Sequence, residues 1–187
     1  EAGLGVNTRG TLASLSGDFQ IAAPGRISLG GRVLSAQDLE LRGGGDVSNQ
    51  GTVFAKGKLI AEARGALVND GLIAATGTVL VRGETLTVSG SLASGVDEQG
   101  KVATASGLSV SGRELSVSGQ LLSGGEIALE AKKATLDAGR ADAADGISIA
   151  VDGSLSGRGA TLVAPAGVAV KSGGTVDFSG SRVGAGR

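Results

Sequence analysis

A short apolar triplet recurs along the chain at a near-constant interval. In each triplet, two apolar residues stand two positions apart, which is the spacing of a β-strand that shows one face to a core. Successive triplets begin 20, 20, 20, 29, 19, 20 and 21 residues apart. A repeat of about 20 residues is typical of a solenoid, in which each repeat stacks on its neighbour. The leading residues of the triplets, predicted to form one structural core ladder, are Phe19, Leu39, Leu59, Val79, Leu108, Ile127, Ile147 and Val168.

Two further apolar series keep step with the first. The second series is Ile27, Val47, Leu67, Leu86, Leu115, Thr135, Leu155 and Val176. The third series is Val33, Val53, Leu72, Leu92, Leu121, Ala141, Thr161 and Val183. One repeat therefore contains three short strands, and crossovers between parallel strands favour a right-handed path. The sequence predicts an all-β, right-handed parallel β-helix with about 20 residues per coil, about eight coils and part of a ninth coil before Phe19.

The turns between these strands carry the residues that tight corners need. Gly, Asn and Ser-Gly pairs follow the second strand of most repeats, and they supply the unusual backbone conformations of sharp turns. Asn49 and Asn69 stand one repeat apart. Two interpretations are open: a turn ladder in which the two amides stack, or two independent Asx turns.

One interval departs from the repeat. The step of 29 residues places about nine extra residues near residues 94–107 of an otherwise single repeat segment spanning residues 1–187. Residues 94–101 are polar and break the alternation. They are interpreted either as a tolerated insertion at a corner, where solenoids place them, or as a recognition loop that uses Asp97, Glu98, Gln99 and Lys101.

The amino-acid composition excludes several classes of protein. The 187 residues include 35 glycines but only two prolines, and 41% are hydrophobic, which argues against both collagen and disorder. The chain has no cysteine and no histidine, and its net charge of −1 gives no strong field for nucleic acid or an anionic membrane. No apolar run is long enough to span a bilayer, so membrane insertion is not expected.

Candidate chemistry is sparse. Parallel β-helices include polysaccharide-active enzymes, which need clustered carboxyl groups with basic partners. Asp18 and Asp38 stand one repeat apart, and Asp137 and Asp177 stand two repeats apart. Neither pair has an Arg or Lys placed to complete a catalytic group. We therefore expect no catalytic residue, no metal site and no cofactor.

The repeats resemble a known family. Residues 57–63 read Gly-Lys-Leu-Ile-Ala-Glu-Ala, and residues 67–74 read Leu-Val-Asn-Asp-Gly-Leu-Ile-Ala. This pattern resembles the filamentous haemagglutinin repeats of large exoproteins from the two-partner secretion systems of Gram-negative bacteria. The composition is most similar to the central repeat region of Bordetella-type members.

The resemblance implies a secreted or surface-displayed adhesin whose repeats build a long rod. The expected partners, reached through the parent protein, are host-cell receptors or glycans and an outer-membrane transporter that recognises an N-terminal domain not present in this sequence. Three functions follow in order of support: a shaft segment, a glycan-binding module that uses an outer face or residues 94–101, and a polysaccharide-active enzyme. Neither Glu1-Ala2-Gly3-Leu4 nor Gly184-Ala185-Gly186-Arg187 resembles a polar solenoid cap, so a piece of a longer protein is expected.

Overall fold

The structure is a computed structural model that describes residues 4–184. Most of both predicted uncapped ends, residues 1–3 and 185–187, lies outside the described residues. The described part of the chain contains 23 β-strands and no helix, and its strands pair in parallel with their counterparts in the neighbouring coils. It therefore has no long apolar helix of the sort that crosses a lipid bilayer.

Each coil contributes strands to three faces. The first face contains β3 (Phe19–Ala23), β6 (Leu39–Gly43), β9 (Leu59–Ala63), the first halves of β12 (Val79–Val88), β14 (Leu108–Val117) and β16 (Ile127–Thr135), then β18 (Gly146–Val151) and β21 (Gly167–Ser172). The second face contains β1 (Val6–Thr8), β4 (Ile27–Leu29), β7 (Val47–Asn49), β10 (Ala66–Asn69), the second halves of β12, β14 and β16, then β19 (Leu155–Ser156) and β22 (Val176–Asp177). The third face contains β2 (Thr11–Ser14), β5 (Arg32–Ser35), β8 (Thr52–Ala55), β11 (Leu72–Ala75), β13 (Ser91–Ser94), β15 (Gln120–Ser123), β17 (Arg140–Ala143), β20 (Thr161–Val163) and β23 (Arg182–Gly184).

The stack is a parallel β-solenoid of about nine turns with about 20 residues in each, which confirms the predicted fold class. Because β12, β14 and β16 continue around the corner between the first and second faces, these faces form one sheet of 14 strands. The third face is a separate sheet of nine strands. Every coil thus lies directly on the coil before it.

The inward side chains of the first face stand in register from coil to coil. Leu39 pairs with Phe19 on one side and with Leu59 on the other. The series continues through the pairs Leu59–Val79, Val79–Leu108, Leu108–Ile127, Ile127–Ile147 and Ile147–Val168. Full burial of such a side chain contributes about 1.5–3 kcal/mol, and each one is covered mainly by its neighbours in adjacent coils.

Three assignments in the second and third series were wrong by one residue. The inward residues are Ala134, Ile73 and Leu162, not the predicted Thr135, Leu72 and Thr161. In β11 the reason is that Leu72-Ile73-Ala74-Ala75 is apolar throughout, so alternation does not reveal which residues face inward. A shift by one residue exchanges the two faces of a strand.

Small residues close the corners. The last inward position of the third-face strands holds only serine or alanine in six successive coils, namely Ser35, Ala55, Ala75, Ser94, Ser123 and Ala143, and all six are buried. At the corner between the second and third faces, a Cβ built on Gly51 would collide with the carbonyl oxygen of Gly31. Glycine there allows the backbones of adjacent coils to stack closely.

Candidate functional site

The extra residues of the long interval form a defined element outside the coil. Residues 95–107, called the strap below, leave the end of β13 and return at the start of β14. Other coils cross this corner with three residues, as between Ala75 and Val79. The strap lies against the outer surface of the third face, where Val96 packs with Phe54, Ala74 and Ala93.

The strap is held in shape by its own hydrogen bonds. The Asp97 carboxylate accepts the backbone N–H groups of Gln99 at 3.0 Å and Lys101 at 2.9 Å. The backbone N–H of Gly100 donates to the Asp97 carbonyl oxygen, and Gly100 has a φ of 79°, a left-handed conformation that favours glycine. An antiparallel bridge between Val96 and Val102 closes the base of this turn. The Asp97 side chain thus shapes the strap.

The strap is attached to the coils by an apolar contact and by hydrogen bonds. Val96 is 1% exposed, and burial of a valine side chain contributes about 1.5–3 kcal/mol. Glu98 pairs with Lys56 at 3.2 Å, but both side chains are more than half exposed, and such pairs contribute about 0–1 kcal/mol. The hydroxyl of Thr76 also donates to the Val96 carbonyl oxygen at 3.0 Å. The valine contact therefore contributes more than the ion pair, and the backbone N–H of Val96 adds a hydrogen bond to the carbonyl oxygen of Ala75 at 3.1 Å.

Two buried serines support the point where the strap returns. The hydroxyls of Ser94 and Ser123 lie 3.0 Å apart, and each donates to the carbonyl oxygen of Ser106 at 3.0 Å. Ser123 also accepts a hydrogen bond from the backbone N–H of Gly125. Sequence reasoning missed this contact, although the two serines occupy equivalent places on either side of the long interval.

The four predicted recognition residues do not form a single cluster. Glu98, Gln99 and Lys101 are exposed at the tip of the strap, whereas Asp97 is partly buried. The Glu98 side chain reaches across to Lys56, and Asp97 interacts with backbone groups. The polar surface available to a ligand at the tip therefore comes mainly from Gln99 and Lys101.

A groove lies beside the strap on the third face, and it was not predicted. Its floor is formed by outward side chains that are apolar in five successive coils, namely Leu34, Phe54, Ala74, Ala93 and Leu122. This outer groove has a volume of about 570 Å³ and crosses six strands, β2 to β15, or about 24 Å. The available signal was the unbroken apolar run Val53-Phe54-Ala55, because a strand with one solvated face would alternate.

Asn49 and Asn69 are buried side by side at the end of the second face. The Nδ2 of Asn49 donates to the Oδ1 of Asn69 at 2.7 Å. Asn49 also accepts from the backbone N–H of Gly51 at 3.1 Å, and Asn69 donates to the carbonyl oxygen of Ser91 at 3.0 Å. The geometry combines an amide-to-amide contact with a local turn at Asn49.

The candidate acidic residues bind backbone groups and other side chains. Asp18 accepts the backbone N–H of Asp38 at 3.1 Å, and Asp38 accepts that of Lys58 at 2.7 Å. Each carboxylate therefore holds the start of the next coil. Both carboxylates thus interact with backbone N–H groups of the neighbouring coil.

Asp137 lies in a small polar network on the second face. The Ser156 hydroxyl donates to Asp137 at 2.6 Å, and the Arg158 guanidinium donates at 2.8 Å. The Ser156 hydrogen bond, followed by that of Arg158, lowers the pKa of Asp137 below its ordinary value. Hydrogen bonds from the Ser179 backbone N–H and then from its side chain do the same to the pKa of Asp177. Both shifts favour the charged form, whereas a general acid requires a raised pKa.

A second groove, of about 620 Å³, lies where the first face meets the second. Three arginines line it, Arg42, Arg64 and Arg82. Arg42 and Arg82 lie 3.7 Å and 3.8 Å from opposite oxygens of Glu62. Arg42 also pairs with Glu40. These exposed groups form a ladder of alternating charge along the rod and compensate one another.

The geometry defines the class of protein as a parallel β-solenoid of stacked coils with a continuous aliphatic interior. The haemagglutinin repeat family matches residues 1–112 and 87–187, and the chain belongs to this family. The family is one of structural repeats from secreted or surface-exposed adhesins. No curated protein and no solved structure shows a significant match to the chain.

Proposed function

We propose that this chain is part of the shaft of a secreted or surface-displayed bacterial adhesin, and that it holds binding domains of the parent protein away from the cell. The observation that carries the proposal is the unbroken register of inward side chains, from Phe19 to Val168, through the whole stack. Such a stack is stiff and extended because each coil is buried only by its neighbours. A spacer needs this property and no catalytic group.

The last described coil supports a longer array. Its inward positions are in register with buried residues of the coil before it, yet they are 41%, 48% and 52% exposed at Val170, Val176 and Val183 respectively. A further coil would cover these side chains. We infer that the segment stacks against further coils in the parent protein, whose other domains engage host-cell receptors or glycans and the outer-membrane transporter.

Removal of one whole coil tests the shaft function. Deletion of residues 39–58 joins Asp38 to Leu59, which occupies the same place in its coil as Leu39. Small-angle X-ray scattering of the shortened chain should show a folded rod shorter by about 4.8 Å. The full-length exoprotein with this deletion should still attach to host cells, because a spacer tolerates a small change in length.

The matched control deletes half a coil, residues 39–48, which removes β6 and two of the three residues of β7 with no equivalent strands to replace them. This variant should lose the rod shape in scattering. Loss of attachment in a full-length protein that has the whole-coil deletion and a well-folded rod would contradict the shaft function.

A glycan-binding function is the second candidate, and the exposed side chains of Gln99 and Lys101 at the strap tip favour it. A glycan array probed with the wild-type chain and with a Gln99→Ala, Lys101→Ala variant separates the two functions. Binding that the variant loses would assign recognition to the strap, and absence of binding leaves the shaft function as the one supported.

A further inference from the structure

Arg32 lies in the outer groove, and the equivalent arginine farther along the rod, Arg140, pairs with the carboxylate of Asp142. Arg140 and Asp142 point outward from β17, and the Arg140 Nη2 donates to the Asp142 Oδ1 at 2.9 Å. The register from β5 to β17 places Arg32 at the position of Arg140 and Leu34 at that of Asp142. Among residues 4–184, no carboxylate forms a salt bridge with Arg32.

The surface around Arg32 is apolar and open to solvent. Leu34 is half-buried in the groove floor, and Leu15 at the groove margin is 90% exposed. A monomeric soluble protein rarely exposes contiguous apolar surface without a use for it. A ligand that covers Leu34 and supplies a carboxylate to Arg32 would satisfy both groups.

The strap indicates which chemical class of ligand the groove accepts. It places an aliphatic side chain, Val96, on Phe54 and Ala74, and two residues later its Glu98 carboxylate reaches Lys56 at 3.2 Å. The remaining groove toward β2 offers the same combination in Leu34 and Arg32. The groove is thus complementary in charge and polarity to a peptide with an aliphatic residue close to an acidic one.

We propose that the outer groove is a docking site for a peptide segment of a partner protein, with an aliphatic side chain on Leu34 and a carboxylate on Arg32. A sugar fits this floor poorly, because its one aromatic ring, Phe54, is 6% exposed and offers no free face for stacking. The site is independent of the shaft function, since it uses only outward side chains.

Fluorescence anisotropy with labelled peptides tests the site on the whole chain. The probe is a heptapeptide of sequence Gly-Ser-Leu-Ser-Glu-Ser-Gly, and the comparison peptide has Gln in place of Glu. The wild-type chain should bind the probe saturably, and binding of the comparison peptide should be weaker by about two- to fivefold, the effect of losing one exposed ion pair.

Two variants locate the site. Arg32→Gln removes the cation and should weaken probe binding by about two- to fivefold. Leu34→Asp recreates the arginine–aspartate pair of β17 and also removes the apolar contact, so it should weaken probe binding more than Arg32→Gln does. The matched control is Leu80→Asp, which changes an outward, half-buried leucine of the first face and should bind like the wild type. Circular dichroism establishes that all three variants fold.

Three results would overturn the proposal. The first is no saturable binding at millimolar probe, and the second is unchanged binding by the Leu34→Asp variant. The third is a concentration-dependent dimer of the wild-type chain, seen by sedimentation and abolished by Leu34→Asp, since the groove would then take a second copy of the chain.

Discussion

Ile147 meets Ile127 in the coil before it and Val168 in the coil after it. The side chain is 2% exposed and belongs to the aliphatic core cluster of the described coils. The adjacent Ser148 points outward between Ala128 and Ala169. Two neighbouring residues of one strand thus occupy opposite environments, as the two-residue period of a strand requires.

Replacement of Ile147 by glutamate should destabilise the stack by roughly 3–5 kcal/mol, the cost of an uncompensated buried charge. Limited proteolysis should detect local opening around β18, and urea unfolding should detect the loss of stability. The control variant Ser148→Glu should change stability by no more than about 0.5 kcal/mol. Equal protease resistance of the two variants would show that Ile147 does not face a packed interior.

For Asn49 and Asn69, the sequence predicts the spacing of the two side chains but not which amide donates the hydrogen bond between them. One repeat of separation predicts that the two side chains are neighbours in space. It does not predict which amide donates, because that depends on competing acceptors such as the carbonyl oxygens of Leu72 and Ser91. Hydrogen-bond direction in such a pair is a property of the folded corner.

The strap is the one element that breaks the repeat, and its contacts suggest a protective function on the outer sheet. Val96 covers Phe54, Ala74 and Ala93, which would otherwise form an exposed apolar strip on the third face. The side chains that the strap covers belong to coils that come before it in the chain. The residues that follow Val96, Asp97 to Lys101, include no large apolar side chain.

Deletion of residues 96–105 leaves Gly95, Ser106 and Gly107 as a three-residue corner like that of the other coils. The rod should still fold, as judged by circular dichroism, because no inward position is removed. The uncovered strip should bind the dye ANS and cause concentration-dependent association in sedimentation. A strapless chain that stays monomeric and binds no dye would show that the strap protects nothing.

The matched control replaces Gln99 and Lys101 by alanine and keeps Val96. This variant should behave like the wild type in both measurements, since the exposed tip contributes nothing to the apolar contact.

The strands of the first face could be placed from the sequence because their alternation is clear. The inward-facing residues of β11 could not be predicted from the sequence, because its four apolar residues fit either orientation. The pairing of Ile73 with Val53 and Leu92 shows that Ile73 faces inward. In β16, Ala134 is too small to stand out beside Thr135 in an apolar pattern. The outer groove escaped prediction for the same reason: its floor residues look like core residues.

Within residues 4–184, the aliphatic interior runs along the stack and is not gathered into one central core. Each coil gains its stability from the coils on either side, so coils in the middle have two interfaces and coils at the ends have one. The strap adds contacts between coils on one face only. Stability should therefore vary along the rod.

Amide hydrogen exchange should detect this gradient. Exchange should be slowest in β9, β12, β14 and β16, and fastest in β1, β2, β22 and β23, because end coils open without disturbing the middle. The Ile147→Glu variant should shift the fast region inward and leave β9 protected. Uniform protection from end to end would instead mean that the stack unfolds as one cooperative unit.

The hydrogen bonds between coils, such as that from the Leu39 N–H to the Lys58 carbonyl oxygen at 2.9 Å, run along the axis of the stack. Tension along this axis, such as fluid drag would exert on a tethered cell, acts on every interface between coils. The coils can therefore separate one at a time. Each layer that parts frees about 20 residues, or about 70 Å of extended chain. The tether would thus lengthen in steps under tension and absorb a sudden load before its end attachments had to bear it.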